Sequence, residues 1–155
     1  MWTLAKLHHR LQDREDYHGL GCPDDTVVIR YRLVRTLVTG AKVSVMQRYI
    51  FRRFVGEDHT VFIWKTYSEG EGIFAGLLLE ETGWVRHQPS DEDGSTVVGV
   101  CVRQVPMRFG SSSPSQSEAQ EFNSVMQSSL DEDAQAITST LSRLLLEETL
   151  AGIDI

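Results

Sequence analysis

Cysteine is scarce in this sequence of 155 residues, which contains only Cys22 and Cys101. The two lie far apart and form neither a C-x-x-C pair nor a spacing with histidine that suits zinc, so we expect no disulfide scaffold and no structural metal site. His8, His9 and His18 precede Cys22, but their spacing fits no tetrahedral ligand set. The sequence therefore predicts no metal, no cofactor and reduced thiols in an intracellular protein.

Long hydrophobic runs are absent as well. No stretch of the sequence approaches the ~20 apolar residues that a membrane span requires. The N-terminus also lacks the order of a signal peptide, in which basic residues come before an apolar segment. These two absences predict a cytoplasmic protein.

Motifs of catalysis or of ion binding are missing too. Residues 111–117 are rich in serine but contain no G-x-S-x-G element, and the glycines of residues 68–72 lack the strand and helix context of a phosphate loop. The acidic turn at residues 91–94 lacks the spaced ligands and final glutamate of a calcium loop. We therefore expect a protein that is not an enzyme.

Acidic residues are absent from one long segment of the sequence, and basic residues are nearly absent from another. Carboxylates are absent between Thr26 and Gly56, whose charged residues are Arg30, Arg32, Arg35, Lys42, Arg48, Arg52 and Arg53. After Ser111 eight carboxylates face the single cation Arg143. The net charge of −7 argues against nucleic acid as a partner. The segregation fits either solvated faces that complement each other or a basic sheet face that contacts a protein partner or, weakly, an anionic membrane.

Alternation of apolar and polar residues predicts a series of strands. From Thr26 onward apolar residues alternate with arginines, which is the period of a strand with one dry face. Further strands are expected over residues 42–55, 60–67, 73–81, 84–88 and 96–107. Before them, apolar residues at helical spacing predict a short helix and a loop within residues 1–25.

A long amphipathic helix is predicted over about residues 116–149. Ser115 and Glu118 have the S-x-x-E spacing of a capping box, in which each residue satisfies a free N–H of the other. Apolar residues then recur at steps of three and four and form one stripe, namely Phe122, Met126, Leu130, Ala134, Ile137, Leu141, Leu144 and Leu145. This stripe requires a sheet against which it can be buried.

Four short motifs follow one another along the chain, namely residues 48–54 (RYIFRRF), 61–64 (VFIW), 81–84 (ETGW) and 101–107 (CVRQVPM). In this order they resemble the START-like, helix-grip family, and most of all its divergent oomycete branch. The resemblance covers residues 26–150. It implies an α+β fold in which a curved antiparallel sheet wraps around the long C-terminal helix and leaves an apolar cavity. Only about 25 residues precede the first clear strand, so we expect a domain that is shortened at its N-terminal end.

Strand parity supplies the candidate lining of that cavity. The residues opposite the charged positions of each strand are Tyr49, Phe51, Phe62, Trp64, Val98, Val100 and Val102. The helix would add Met126, Leu130, Ile137 and Leu141. Trp84 would either border the cavity or brace a turn after Gly83, and Arg53, Arg103 and His87 are the polar candidates for holding a head group. Ordinary core packing would place most of these residues inside as well.

The resemblance implies binding of a lipid or another hydrophobic molecule, without catalysis, between the sheet and the helix. An alternative from a different class is a START-like scaffold that acts as a protein-interaction or membrane-surface module without a bound ligand. A cavity that retains an apolar molecule would favour the first function, and an exposed surface that needs its arginines for binding would favour the second.

Overall fold

The computed structural model describes residues 12–17, 24–90, 95–109 and 114–151. In the last segment it describes the side chains through Glu132 and those of Gln135 and Ser139. The strands are β1 (Gln12–Asp16), β2 (Thr26–Thr36), β3 (Lys42–Val55), β4 (Thr60–Gly70), β5 (Leu77–Pro89) and β6 (Thr96–Arg108). A short 3-10 helix, Gly72–Phe74, lies between β4 and β5, and the long helix α1 spans Gln116–Ala151.

The six strands form one curved sheet in the order of the sequence, and each strand is antiparallel to the next. With α1 following the sheet, the fold is α+β, as the strand and helix patterns predict. Opposed residues such as Val45 and Gly70, or Phe51 and Trp64, share a face of the sheet. We call the side on which α1 packs the inner face and the opposite side the outer face.

The start of α1 confirms the predicted capping box. The Glu118 N–H donates to Ser115 Oγ at 3.2 Å, and the Ser115 N–H donates to Glu118 Oε2 at 2.7 Å. Ser115 donates its N–H and its hydroxyl to the Glu118 carboxylate, and these two bonds lower the pKa of that carboxyl. The helix begins where the motif places it because two otherwise free backbone donors are satisfied there.

The first half of α1 packs on one end of the inner face. Phe122 lies edge-on against Phe74, with 5.5 Å between ring centroids. The buried cluster around this contact contains Leu33, Val43, Val45, Phe74, Leu77, Leu79, Phe122, Val125 and Met126. Val125 and Ser129 are buried beside the predicted stripe, whereas Leu130 is only half-buried. The side chains of Ala134, Leu144 and Leu145 lie outside the described residues.

Two segments differ from the sequence-based expectation. Residues 73–81 and 84–88 were expected to form separate strands with a turn at Gly83, but β5 runs without interruption from Leu77 to Pro89. Ile73 belongs to the 3-10 helix. Gly83 lies in the middle of β5 because the indole of Trp64 occupies the space that a side chain there would need.

The third difference is β1, which lies within residues 1–25, where a helix and a loop were expected. Its pairing with β2 has an irregular register between Gln12 and Glu15. Ion pairs from Glu15 to Arg30 and from Asp13 to Arg32 link the two strands. A strand held at its edge by charges carries no apolar alternation, so periodicity did not reveal it. Residues 1–11, which include the expected helix, lie outside the described residues.

Within the described ranges, α1 included, no helix combines the length and the apolar character needed to cross a bilayer.

Candidate functional site on the inner face

A second apolar cluster lies on the inner face, separate from the one that α1 packs on. Phe51, Phe62 and Val85 are buried, and Tyr49 and Trp64 pack against them. The rings of Phe51 and Phe62 stack at 5.4 Å between centroids, and those of Tyr49 and Phe51 stack at 6.0 Å. We call these five residues the aromatic floor. Its position follows from the registers of β3, β4 and β5, which bring alternate residues of all three strands to the same face.

Trp64 lies flat across β5 because Gly83 has no side chain. A Cβ at Gly83 would lie 2.2 Å from Cζ2 of Trp64, far inside van der Waals contact. From this position the indole donates its Nε1–H to Oε1 of Glu81 at 2.7 Å. The absence of a side chain at Gly83 thus leaves the space that the indole of Trp64 occupies.

Glu81 is the buried carboxylate of this face, with 8% of its surface exposed. Besides the bond from Trp64, its Oε2 accepts a hydrogen bond from Gln104 Nε2 on β6 at 2.9 Å. Among the described residues no lysine, arginine or histidine lies within ion-pair distance of it. Both donors are neutral, so among the described residues nothing compensates the charge of this carboxylate at the edge of the aromatic floor.

A polar band separates the aromatic floor from the helix-packed cluster. Gln47, Thr66, Ser68 and Glu81 are all buried on the inner face. Gln47 Nε2 donates to Ser68 Oγ at 2.9 Å, so this buried pair satisfies part of its own hydrogen-bonding capacity. Sequence reasoning named Arg53, Arg103 and His87 as the polar candidates and missed this band. Its signal was a polar residue at an inner position within an otherwise apolar strand, as Glu81 is between Leu79 and Val85.

The structure brings part of the predicted lining together. Tyr49, Phe51, Phe62 and Trp64 all belong to the aromatic floor. The registers also place the three predicted valines of β6 on the inner face, but they are about half exposed, with Val98 at 50%, Val100 at 61% and Val102 at 48%. On the inner face, the aromatic floor on β3 to β5 is therefore largely buried, whereas the side chains of β6 are open to solvent.

The predicted helix residues do not join the aromatic floor within the described part of the chain. Met126 is buried in the cluster on which α1 packs, and Leu130 is half-buried. The side chains of Ile137 and Leu141 lie outside the described residues. The described wall of the site is thus made by the sheet.

Trp84 lies on the outer face, not among the candidate lining residues. It pairs with Ile63 across β4 and β5, and 43% of its surface is exposed. The cause is strand parity, because Gly83 takes the inner position and Trp84 must point to the other side. Its motif, E-T-G-W, lies within a continuous strand, and the glycine of the motif leaves room for the indole of Trp64.

The three polar candidates separate in the same way. Arg103 is exposed on the outer face, while Arg53 and His87 are half-buried on the inner face. The His87 ring meets Phe62 edge-on, with 5.7 Å between ring centroids. Its Nε2 is buried without a hydrogen-bond partner, and desolvation lowers the pKa of the imidazole.

The outer face carries a shallow groove of about 240 Å³. The lining residues that the registers place on the outer face are Tyr17, Val28, Arg48, Ile50, Lys65 and Tyr67. The arginines expected to make this face basic are each paired with a carboxylate. Arg30 pairs with Glu15, Arg32 with Asp13 and Glu71, Arg48 with Glu69, and Arg52 with Asp25. These partners neutralise most of the predicted positive patch.

In the described ranges, no three histidine, cysteine, aspartate or glutamate side chains lie together in a group that could hold a metal ion. Cys101 is a free, exposed thiol on β6. His8, His9, His18 and Cys22 lie outside the described residues.

A scan of the chain against family models finds no match, and neither does a search of curated proteins or of solved structures.

Proposed function

We propose that this chain is a helix-grip, START-like domain that binds a lipid or another hydrophobic molecule between the inner face and α1, without converting it chemically. The aromatic floor carries the proposal. It is a separate apolar cluster beside the one that anchors the helix, and it borders a band of buried polar groups. Apolar walls with a few placed polar groups are what ligand sites in proteins have in common.

The buried polar band next to the aromatic floor lowers the stability of the fold. Burying a polar group is unfavourable unless it is hydrogen-bonded, and a core needs no such groups for its own packing. Glu81 is buried with neutral partners only. Such a carboxylate costs stability, so its position at the edge of the aromatic floor is better explained by a ligand than by packing.

The test is native mass spectrometry of the freshly purified protein, followed by denaturing extraction of any retained molecule. We expect an apolar compound of defined mass to travel with the folded protein. Val100→Trp, which adds bulk on the open part of the inner face, should reduce the ligand-bound fraction several-fold. Val97→Trp is the matched control, because Val97 lies on the same strand with 48% exposure but on the outer face.

Two results would count against the proposal. One is a wild-type protein that melts cooperatively yet carries no ligand, even after exposure to a lipid extract. The other is an equal loss of ligand in both tryptophan variants, since this would place the binding elsewhere.

The alternative, an interaction or membrane-surface module without a ligand, is favoured by the outer-face groove. Ile50 and Tyr67 are exposed beside it. The charge of this face argues against the alternative, because the arginines around the groove already have carboxylate partners. A ligand-free wild type that binds anionic vesicles in low salt, and loses them in Ile50→Glu, would support this alternative instead.

A further inference from the structure

We infer that the ligand of the inner face carries a cationic head group, a protonated amine, which Glu81 binds. This inference rests on the proposed function and deepens it. The starting point is the buried carboxylate itself, which is more than nine-tenths buried and has no cationic partner among the described side chains. A buried anion of this kind is stabilised most by a cation that also donates hydrogen bonds.

Glu81 has acceptor capacity to spare. A carboxylate has about four lone-pair positions, two on each oxygen. Trp64 uses one position on Oε1, and Gln104 uses one on Oε2. Within the described part of the chain, one position therefore remains on each oxygen, which suits an ammonium group with its several N–H donors.

The two existing donors also fix the direction of the carboxylate. Trp64 is held in place by Gly83, and Gln104 reaches Glu81 from the neighbouring strand β6. A carboxylate held from both sides does not have to be ordered when the ligand arrives, so binding loses less conformational entropy.

The surroundings match the two ends of such a molecule. The aromatic floor, which includes Phe51, Phe62 and Val85, offers a dry surface for an alkyl or ring system. On the other side the inner face opens to solvent over β6, where Val100 and Val102 are about half exposed. Glu81 lies at the end of the floor that meets the polar band, and its next inner neighbour on β5, Gly83, pairs with Val102 at the opening. The charged end would therefore sit within reach of the opening, and the apolar end would lie along the floor.

The experiment compares three probes with the same alkyl chain, namely decylamine, decanol and decanoate, below the concentrations at which they form micelles. Calorimetry on the full chain should give the order amine, alcohol, acid, from tightest to weakest. Glu81→Gln keeps the shape and removes the charge. Its amide oxygen can accept from Trp64, and its NH2 can donate to Oε1 of Gln104 once the amide of Gln104 flips. The substitution should weaken decylamine about tenfold, in line with the loss of a charge-assisted hydrogen bond, and change decanol far less.

Glu80→Gln is the matched control, since Glu80 is the neighbouring carboxylate on the outer face and pairs with Lys65 at 3.1 Å. It removes the same unit of charge and should leave all three affinities unchanged. The order of the probes on the wild-type protein provides a test even if Glu81→Gln does not fold.

The outcomes separate this inference from the proposed function. Equal affinities for all three probes, or a preference for decanoate, would overturn the cationic head group and leave an apolar site in place. An unchanged decylamine affinity in folded Glu81→Gln would also overturn it. No binding of any probe would overturn both the head group and the proposed function.

Discussion

His87 shows how a single residue can couple folding to pH. Its imidazole lies against Phe62, and its Nε2 is buried without a partner. Because desolvation lowers its pKa below the ordinary 6.5, the unfolded chain binds a proton more readily than the folded one. The contribution of His87 to the free energy of unfolding is therefore complete above about pH 6.5 and is lost as the pH falls towards the folded-state pKa.

We expect His87→Gln to flatten this part of the stability profile. Urea unfolding of the wild type and the variant between about pH 7 and pH 5 should show the wild type losing more stability on acidification, with an extra slope no steeper than about 1.4 kcal/mol per pH unit for one proton. The difference between the two proteins isolates His87 from the carboxylates that titrate in both. Parallel profiles would mean that the imidazole is as well solvated in the folded state as in the unfolded one.

Gly83 is the corresponding case at the level of an element, because it decides how β4 and β5 fit together. Gly83→Ala would place a Cβ 2.2 Å from the Trp64 ring, so the indole must move and its bond to Glu81 must break or lengthen. We expect a loss of about 1–3 kcal/mol in the free energy of unfolding, the usual cost of overpacking. Urea denaturation followed by circular dichroism measures it.

Gly99→Ala is the control for that substitution. Its Cβ would lie 3.5 Å from the Trp84 ring, an ordinary contact, on a strand that is exposed to solvent. We expect a change within about 0.5 kcal/mol, as for most exposed positions. If both alanine variants were equally stable, the close approach of Trp64 to β5 would not be a constraint on the fold.

Elements with a strong period were predictable from the sequence, and elements without one were not. The alternation of β2, β3, β4 and β6 and the capping box of α1 led to the observed strands and helix start. The strand β5 was divided wrongly because a glycine within a strand has the same local signature as a turn. Only the contact with Trp64, 19 residues earlier in the chain, distinguishes the two.

The candidate site was predictable in its apolar part only. Parity placed Phe51, Phe62 and Trp64 on one face, where the registers also place them. The link between Glu81 and Gln104 joins two strands through a hydrogen bond, and a single sequence holds no signal for such a bond. Trp84 was expected either to border the cavity or to brace a turn after Gly83, but β5 continues through Gly83 and strand parity places Trp84 on the outer face.

At the scale of the whole molecule, the contact between α1 and the sheet is what joins the helix to the rest of the fold. Besides the apolar cluster around Phe122, the described residues offer one ion pair across it, from Arg35 Nη2 on β2 to Glu132 Oε2 at 2.6 Å. The two residues are 97 positions apart, so they meet only when helix and sheet have docked. This pair is where the basic segment of the sequence meets its acidic one.

A double-mutant cycle on this pair should report docking of the helix. With Arg35→Met, Glu132→Gln and the combined variant, we expect a coupling energy of about 0.5–1 kcal/mol, since both side chains are partly exposed and solvent screens them. The coupling should shrink in high salt. Arg48 and Glu69 form the control pair, because they join adjacent strands on the outer face at 2.9 Å and are more exposed. Salt-dependent coupling in the first pair that is larger than in the control would show that charge attraction holds α1 on the sheet. No coupling in either pair would leave the apolar cluster around Phe122 as the sole described attachment of the helix.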